Sequence, residues 1–128
     1  MIYLDSSVVI AELLSEDRAP SPRLWENSLI ASRLVHYEVF TRLHRAGLGS
    51  SHRDAASALL ERVAVIEMLP SVLTRALEPF PFPLRTLDAL HLATLVFVAR
   101  SGHDVALASY DMRLIECARA MDVAAEEF

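Results

Sequence analysis

The sequence contains no lysine, and its twelve basic side chains are all arginine. Schiff-base chemistry and a phosphate-loop lysine are therefore excluded. Glycine-rich nucleotide loops and the HExxH and GxSxG motifs are also absent from the sequence. The net charge of −5 argues against broad electrostatic capture of nucleic acid, although clustered arginines would suit bidentate contacts with phosphate groups.

Cysteine is nearly absent as well, and no hydrophobic run is long. Cys117 is the single cysteine, so no internal disulfide can form and a reducing compartment is expected. The longest apolar run, Ala89 to Ala99, is interrupted by His91 and is shorter than the ~18 residues that predict a membrane span. No basic and then apolar leader precedes the first predicted strand. We therefore expect a cytoplasmic protein without a membrane segment, in which Cys117 is a small buried side chain on a helix.

What the sequence does contain is an alternation of short apolar strands and amphipathic helices. Its 128 residues, 53% of them hydrophobic, predict one compact domain over residues 1–128. This alternation predicts a three-layer α/β/α fold with a parallel sheet of four or five strands, and the apolar first strand is expected near its centre. The predicted strands are Ile2–Leu4, Leu29–Ser32, Val63–Leu69, Val105–Ser109 and an edge strand, Val123–Glu126.

Capping residues predict where the helices begin. Ser6 or Ser7 is expected to cap the first helix, and Ser51 with Asp54 resembles a capping box. Thr86 is expected to cap a long helix, and Asp111 to cap or open a later one. The predicted helices end near Leu14, Gly47, Arg62, Gly102 and Ala120. A short further helix opens at Pro70.

Four carboxylates lie where this fold would bring them together. Asp5 follows the first strand, Glu38 lies on the helix after the second, Asp88 is in the first turn of the long helix, and Asp111 follows the fourth strand. Because parallel strands end at one edge of a sheet, Asp5, Glu38 and Asp111 should converge there. Asp104 lies at the opposite end of its strand, roughly 15 Å away or more. Clustered carboxylates repel one another unless a cation compensates, and hard divalent ions prefer oxygen ligands.

The sequence resembles the PIN-domain ribonucleases and, within them, the VapC toxins of toxin–antitoxin pairs. The resemblance spans essentially the whole chain and rests on four blocks in order, YLDSSVV, SRLVHYEVFTRL, LRTLDALHLATL and ASYDMRL. It implies that Asp5, Glu38, Asp88 and Asp111 hold Mg²⁺ or Mn²⁺ for RNA cleavage. Asp5 and Asp88 are the expected direct ligands, while Glu38 and Asp111 bind a second ion, orient water or assist proton transfer. Ser109 stands where the family often has threonine, and it keeps the hydroxyl.

Several neighbouring residues have two interpretations. Ser7 either caps its helix or helps to position Asp5, and His91 is interpreted as a hydrogen-bonded structural histidine. Arg42 and Arg45 share the helix face of Glu38, and Arg85 precedes the helix of Asp88. These arginines either contact RNA phosphates or belong to an ordinary solvated surface.

The resemblance also implies partners, namely an RNA substrate, a VapB-like antitoxin that masks the active site, and a second copy in a homodimer. The helical hairpin over residues 35–60 and the first helix, with Leu13, Leu14 and Trp25, are the candidate contact surfaces. The alternative function is a PIN-like domain that binds RNA or a protein without cutting. A receiver-type phosphoacceptor would need the missing lysine, and a haloacid-type phosphatase would need an acid where the chain has Ser7.

Overall fold

The computed structural model describes residues 1–15, 17–126 and 128 as an alternation of strands and helices. The strands are β1 (Ile2–Leu4), β2 (Leu29–Ser32), β3 (Val63–Ile66), β4 (Ala106–Ala108) and β5 (Ala124–Glu126). The α-helices are α1 (Ser6–Leu14), α2 (Leu34–Arg45), α3 (Arg53–Leu60), α4 (Pro70–Ala76), α5 (Thr86–Arg100) and α6 (Met112–Ala120), and a 3₁₀ helix covers Pro22–Glu26.

The strands form one parallel sheet in the order β3-β2-β1-β4-β5. The predicted parallel sheet and the central position of β1 are therefore confirmed, and every residue of β1 is buried. The chain leaves β1 towards β2 and β3 and returns on the other side of β1 at β4. Ligands of such sheets bind beyond the carboxyl ends of the strands at this reversal, which is where Asp5 follows β1.

Two hydrophobic clusters cover the two faces of the sheet, which confirms the predicted three-layer arrangement. Ile2 and Leu4 of β1 pack in one cluster with α1, α2 and α3. Tyr3, which points to the opposite face, packs in the other cluster with α5 and α6. Cys117 is buried in this second cluster, as predicted. Within the described ranges, no helix combines the length and apolarity that crossing a membrane requires.

β3 is shorter than the sequence predicts, because its neighbour in the sheet is short. It ends at Ile66 rather than Leu69. Ile66 is in register with Ser32, the last residue of β2, so a longer β3 would have no partner strand there. Glu67 leaves the sheet and forms an ion pair with Arg33 instead.

Two predicted helix caps in the middle of the chain are wrong. His52, not Ser51, occupies the N-cap position of α3. The Ser51 hydroxyl donates to the Leu48 carbonyl at 3.3 Å, and no side-chain capping bond is present at the start of α3 in the described part of the chain. Thr86 is the first residue of α5, and Arg85 precedes it at the N-cap position.

The predicted glycine stops are confirmed. Gly47 and Gly102 follow the ends of α2 and α5 with φ angles of 73° and 94°, a region that costs glycine little. At the first of these ends the Leu48 amide donates to the Leu43 carbonyl at 2.8 Å, which satisfies an acceptor in the last turn of α2.

Candidate active site

Asp5 is held by two serine hydroxyls beyond the end of β1. Its side chain is only 5% exposed, and its Oδ2 accepts hydrogen bonds from Ser7 Oγ at 2.6 Å and from Ser109 Oγ at 2.8 Å. Asp5 occupies the N-cap position of α1 but makes no capping bond through its side chain. The prediction that Ser6 or Ser7 caps α1 is wrong, because both hydroxyls donate to carboxylates instead. Oδ1 of Asp5 accepts no hydrogen bond from the residues that the structure describes.

The same two serines connect Asp5 to the loop after β4. Ser7 Oγ accepts from the Tyr110 amide at 3.1 Å, and Ser109 Oγ accepts from the Asp111 amide at 2.9 Å. Each hydroxyl therefore donates to one catalytic candidate and accepts from the backbone beside another. The Asp111 Oδ1 atom caps α6, as predicted, by accepting hydrogen bonds from the amides of Arg113 at 3.0 Å and Leu114 at 3.3 Å.

Glu38 is held by a second set of partners on α1 and α5. Its Oε2 accepts from Ser6 Oγ at 3.1 Å, and its Oε1 forms a short charged contact with Nε2 of His91. His91 is 1% exposed, and the Tyr3 hydroxyl lies 2.8 Å from its Nδ1. The prediction of a hydrogen-bonded structural histidine is confirmed, and the chain Tyr3, His91, Glu38 joins β1, α5 and α2.

The charge of Glu38 is compensated from inside the protein. Burial opposes a charge on His91, but the hydrogen bond that His91 donates to Glu38 and the nearby carboxylates outweigh burial and raise the pKa of His91. Burial also raises the pKa of Tyr3, so this hydroxyl stays protonated. When His91 is protonated, one of its N–H groups points at Glu38 and the other at the oxygen of Tyr3.

Asp88 lies in the first turn of α5 without such support. No described residue donates a hydrogen bond to it or forms an ion pair with it. Burial raises the pKa of Asp88, and the negative charges of Asp111, Asp5 and Glu38 raise it further against the opposing effect of His91. This mutual repulsion places the four carboxylates in one electrostatic cluster.

An open cavity of about 250 Å³ borders this cluster on one side. Asp88, Asp111, Arg85 and Arg113 line it. We call these four residues the open half of the site, and we call Asp5 and Glu38 with their hydrogen-bond partners the closed half. Arg113 was not among the predicted site residues, although its position two residues after Asp111 was a usable signal.

The carboxylate oxygens of both halves are the kind of ligand that a hard divalent cation prefers. Asp5 Oδ1 and both oxygens of Asp88 are uncommitted among the described residues, and Asp111 uses only Oδ1 for its cap. In the described part of the chain, no three Asp, Glu, His or Cys side chains already form a metal-binding group. The site is therefore an open arrangement of repelling carboxylates whose charge a cation would relieve.

The remaining predicted residues divide between the site and the rest of the surface. Arg42 and Arg45 line a groove of about 290 Å³ together with Glu38. Asp104 is exposed and precedes β4, so it lies at the opposite edge of the sheet. Trp25 is 8% exposed, so the prediction that it contributes to a contact surface is wrong.

Comparison with known sequences identifies relatives along the whole chain. The PIN domain family matches residues 2–120. Ribonuclease VapC46 of Mycobacterium tuberculosis is 33% identical over 127 residues, which cover 96% of this chain and 94% of that protein.

Solved structures share the fold at low sequence identity. A chain of VapBC2 from Rickettsia felis, bound to a DNA fragment from its promoter, has a TM-score of 0.72 at 15% identity and covers 99% of this chain and 98% of its own. VapC20 of Mycobacterium tuberculosis, a toxin that cleaves the Sarcin-Ricin loop, has a TM-score of 0.69 at 20% identity and covers 91% of this chain and 94% of its own. These structures support the three-layer fold.

Proposed function

The chain belongs to the PIN-domain family, as a relative of the VapC ribonucleases, and on this premise we propose that it is a metal-dependent endoribonuclease. It acts as the toxin of a toxin–antitoxin pair and hydrolyses RNA phosphodiester bonds. The observation that carries the proposal is the arrangement of Asp5, Glu38, Asp88 and Asp111 at the carboxyl edge of the sheet, where Asp88 and Asp111 line one cavity and Ser109 joins Asp5 to Asp111. Burial, and then the negative charges of the other three acids, raise the pKa of Asp88 there. Such a cluster lowers the stability of the metal-free fold, a cost that a metal-binding function explains.

In this proposal the uncommitted oxygens of Asp5, Asp88 and Asp111 hold Mg²⁺ or Mn²⁺. A bound ion would stabilise the charge that develops on the scissile phosphate and would help to activate the attacking water. Ser7 and Ser109 orient Asp5 by fixing its Oδ2. Hydrolysis forms a bond from the water oxygen to phosphorus and breaks a phosphorus–oxygen bond of the RNA, whose departing oxygen takes up a proton.

Glu38 has a different role in this proposal, because both of its oxygens already accept hydrogen bonds. It positions water or assists proton transfer beside the ion, and Ser6 and His91 fix its orientation. Arg85 and Arg113, which line the cavity with two of the acids, contact the phosphate oxygens.

The proposed partners follow from the same site. A VapB-like antitoxin would inhibit the enzyme by placing an arginine among the acids, where a guanidinium compensates their charge as a metal does. A second copy of the chain forms a homodimer, and RNA is cut in the cytoplasm. Leu73 on α4, which is 42% exposed, offers apolar surface for such contacts.

Substitution of single acids tests the proposed chemistry. Asp5→Asn and Asp88→Asn should each reduce RNA cleavage in Mg²⁺ or Mn²⁺ by about 100-fold or more. Asp104→Asn, at the opposite edge of the sheet, is the matched control and should cleave at the parent rate. Millimolar metal should also raise the melting temperature of the parent, by mass action, and should do so much less in the two site variants.

Two results would contradict this proposal. If Asp5→Asn cleaves RNA at the parent rate, the acids are not the catalytic centre. If metal leaves the melting of the parent unchanged, the alternative of a PIN-like domain that binds RNA or a protein without cutting is favoured.

A further inference from the structure

The outer surface of α2 carries two adjacent grooves, one of which includes Glu38 of the acidic site. The first, which we call the arginine groove, measures about 290 Å³ and includes Glu38, Arg42 and Arg45. The second, the aromatic groove, measures about 460 Å³ and includes His36 and Phe40. Tyr37 and Thr41 line both grooves and so form the ridge between them.

Tyr37 stands out on this ridge because 66% of it is exposed. It precedes Glu38 on the helix, and consecutive side chains diverge by about 100° around a helix axis, so its ring does not block the carboxylate. A single exposed tyrosine is common on protein surfaces. This one, however, separates a groove that includes an acid of the site from a groove with aromatic walls.

The walls of the aromatic groove are mostly flat rings and guanidinium groups. The rings of Phe40 and His44 lie with their centroids 6.5 Å apart, and the guanidinium of Arg53 lies 5.6 Å from the centre of the Phe40 ring. The Nδ1 atom of His36 is buried and has no hydrogen-bond partner in the described part of the chain. A planar ligand with polar edges would complement such a groove.

The charge of these grooves differs from that of the whole chain. The protein has a net charge of −5, but Arg33, Arg42 and Arg45 line the two grooves with two histidines. The acid that lines the arginine groove is Glu38, which belongs to the site, and Arg33 of the aromatic groove is paired with Glu67. A ligand with a negatively charged backbone and planar groups complements this surface better than an apolar peptide does.

We propose that Tyr37 is a stacking platform for one unpaired RNA base next to the scissile phosphate. The base lies in the aromatic groove against the Tyr37 ring, and the adjacent phosphate lies in the arginine groove beside Glu38. The inference rests on the proposed function, since it assigns a substrate subsite to the same acidic site. It also restricts the substrate to single-stranded segments, because the faces of a base inside a duplex are covered by its neighbours.

Binding of a fluorescein-labelled single-stranded RNA 12-mer of mixed sequence tests the subsite by fluorescence anisotropy. All variants carry Asp5→Asn, so that the RNA stays intact, and urea denaturation verifies that each is folded. Tyr37→Leu keeps an apolar side chain but removes the ring, and it should bind the RNA about 5- to 150-fold more weakly. Tyr37→Phe keeps the ring and should stay within about twofold of the Asp5→Asn parent.

Two controls and a separate assay make the outcome decisive. Leu77→Ala, an exposed apolar change just after the end of α4, should leave the affinity for RNA unchanged. Duplex RNA should bind equally to Tyr37→Leu and Tyr37→Phe. Equal binding of single-stranded RNA by Tyr37→Leu and Tyr37→Phe would overturn the inference. If Tyr37→Leu then weakened association with a protein partner, Tyr37 would belong to a protein-binding surface, and the inference would still be overturned. Metal-dependent cleavage is measured separately with the parent chain, so loss of the proposed function and loss of the stacking subsite give different results.

Discussion

Asp5 and Glu38 lie in the closed half of the site, where hydroxyls and an imidazole fix their oxygens, whereas Asp88 and Asp111 line an open cavity beside two arginines. In the closed half the folded chain supplies the hydrogen bonds that a buried carboxylate needs. In the open half burial and repulsion raise the pKa of Asp88, and nothing described there hydrogen-bonds to it. The closed half therefore holds its carboxylates in fixed orientations, whereas the open half leaves the carboxylate of Asp88 beside a cavity and unbonded to any described residue.

The largest effect is expected from removing the histidine of the closed half. His91→Leu would leave Glu38 and the Tyr3 hydroxyl without their partner in a buried place, and should lower the free energy of unfolding by about 3 kcal/mol. Urea denaturation measures this loss. His103→Leu, at an exposed position, is the control and should change stability by under about 0.5 kcal/mol. A similar small change for His91→Leu would refute the closed half as a stabilising network.

The second effect concerns the hydroxyl that joins the halves. Ser109→Ala removes a donor to Asp5 and an acceptor for the Asp111 amide, so we expect a loss of about 1–2 kcal/mol in stability and of about 10- to 100-fold in RNA cleavage. Ser109→Thr keeps the hydroxyl and should recover most of the activity. Equal activity of the alanine and threonine variants would show that the hydroxyl does not position Asp5.

The third prediction concerns stability, because the two acids of the open half should contribute to it in opposite directions. Asp111→Ala removes the cap of α6 and should destabilise the metal-free protein by about 1 kcal/mol. Thermal melting in the presence of a chelator measures the change. Asp111→Asn loses the same charge but keeps a capping oxygen, so equal melting temperatures of the alanine and asparagine variants would mean that the capping bonds contribute nothing.

The smallest effect has the opposite sign. Asp88→Asn removes one of four repelling charges, so at neutral pH and without metal it should raise stability, by under about 1 kcal/mol after solvent screening. Because the fold raises the pKa of Asp88, the parent loses stability as the pH rises through that pKa. The advantage of the variant should therefore disappear below about pH 4, where the carboxyl is protonated in both states. Destabilisation at neutral pH would instead assign Asp88 a structural role.

The positions of the acids could be predicted because they depend on strand ends, which the apolar pattern locates well. Asp5 and Asp111 follow strands that the sequence places within a residue or two of their observed ends. The partners of these acids could not be predicted. The bond from Ser6 to Glu38 spans 32 residues, and a serine after a strand is as typical of a helix cap as of a carboxylate partner.

The predicted ends of strands and helices were wrong where contacts with a neighbouring element set those ends. β3 ends at Ile66 because β2 ends at Ser32, and no property of residues 67–69 indicates this. Ser51 has the sequence pattern of a capping box, yet its hydroxyl is bonded within the preceding turn. Local preference and tertiary contacts compete at such positions, and the tertiary contacts prevail.

The bonds that assemble the site connect residues far apart in the sequence. Tyr3 and His91 are separated by 88 positions, and Ser109 and Asp5 by 104. Contacts of such long range form late in folding, since the entropy of closing large loops must be overcome before they contribute. A nascent chain that ends before β4 lacks one of the two strands that flank β1, the hydroxyl of Ser109 and Asp111. The activity proposed for this protein therefore requires that the ribosome has already released β4 and the loop after it, so that they can dock against β1.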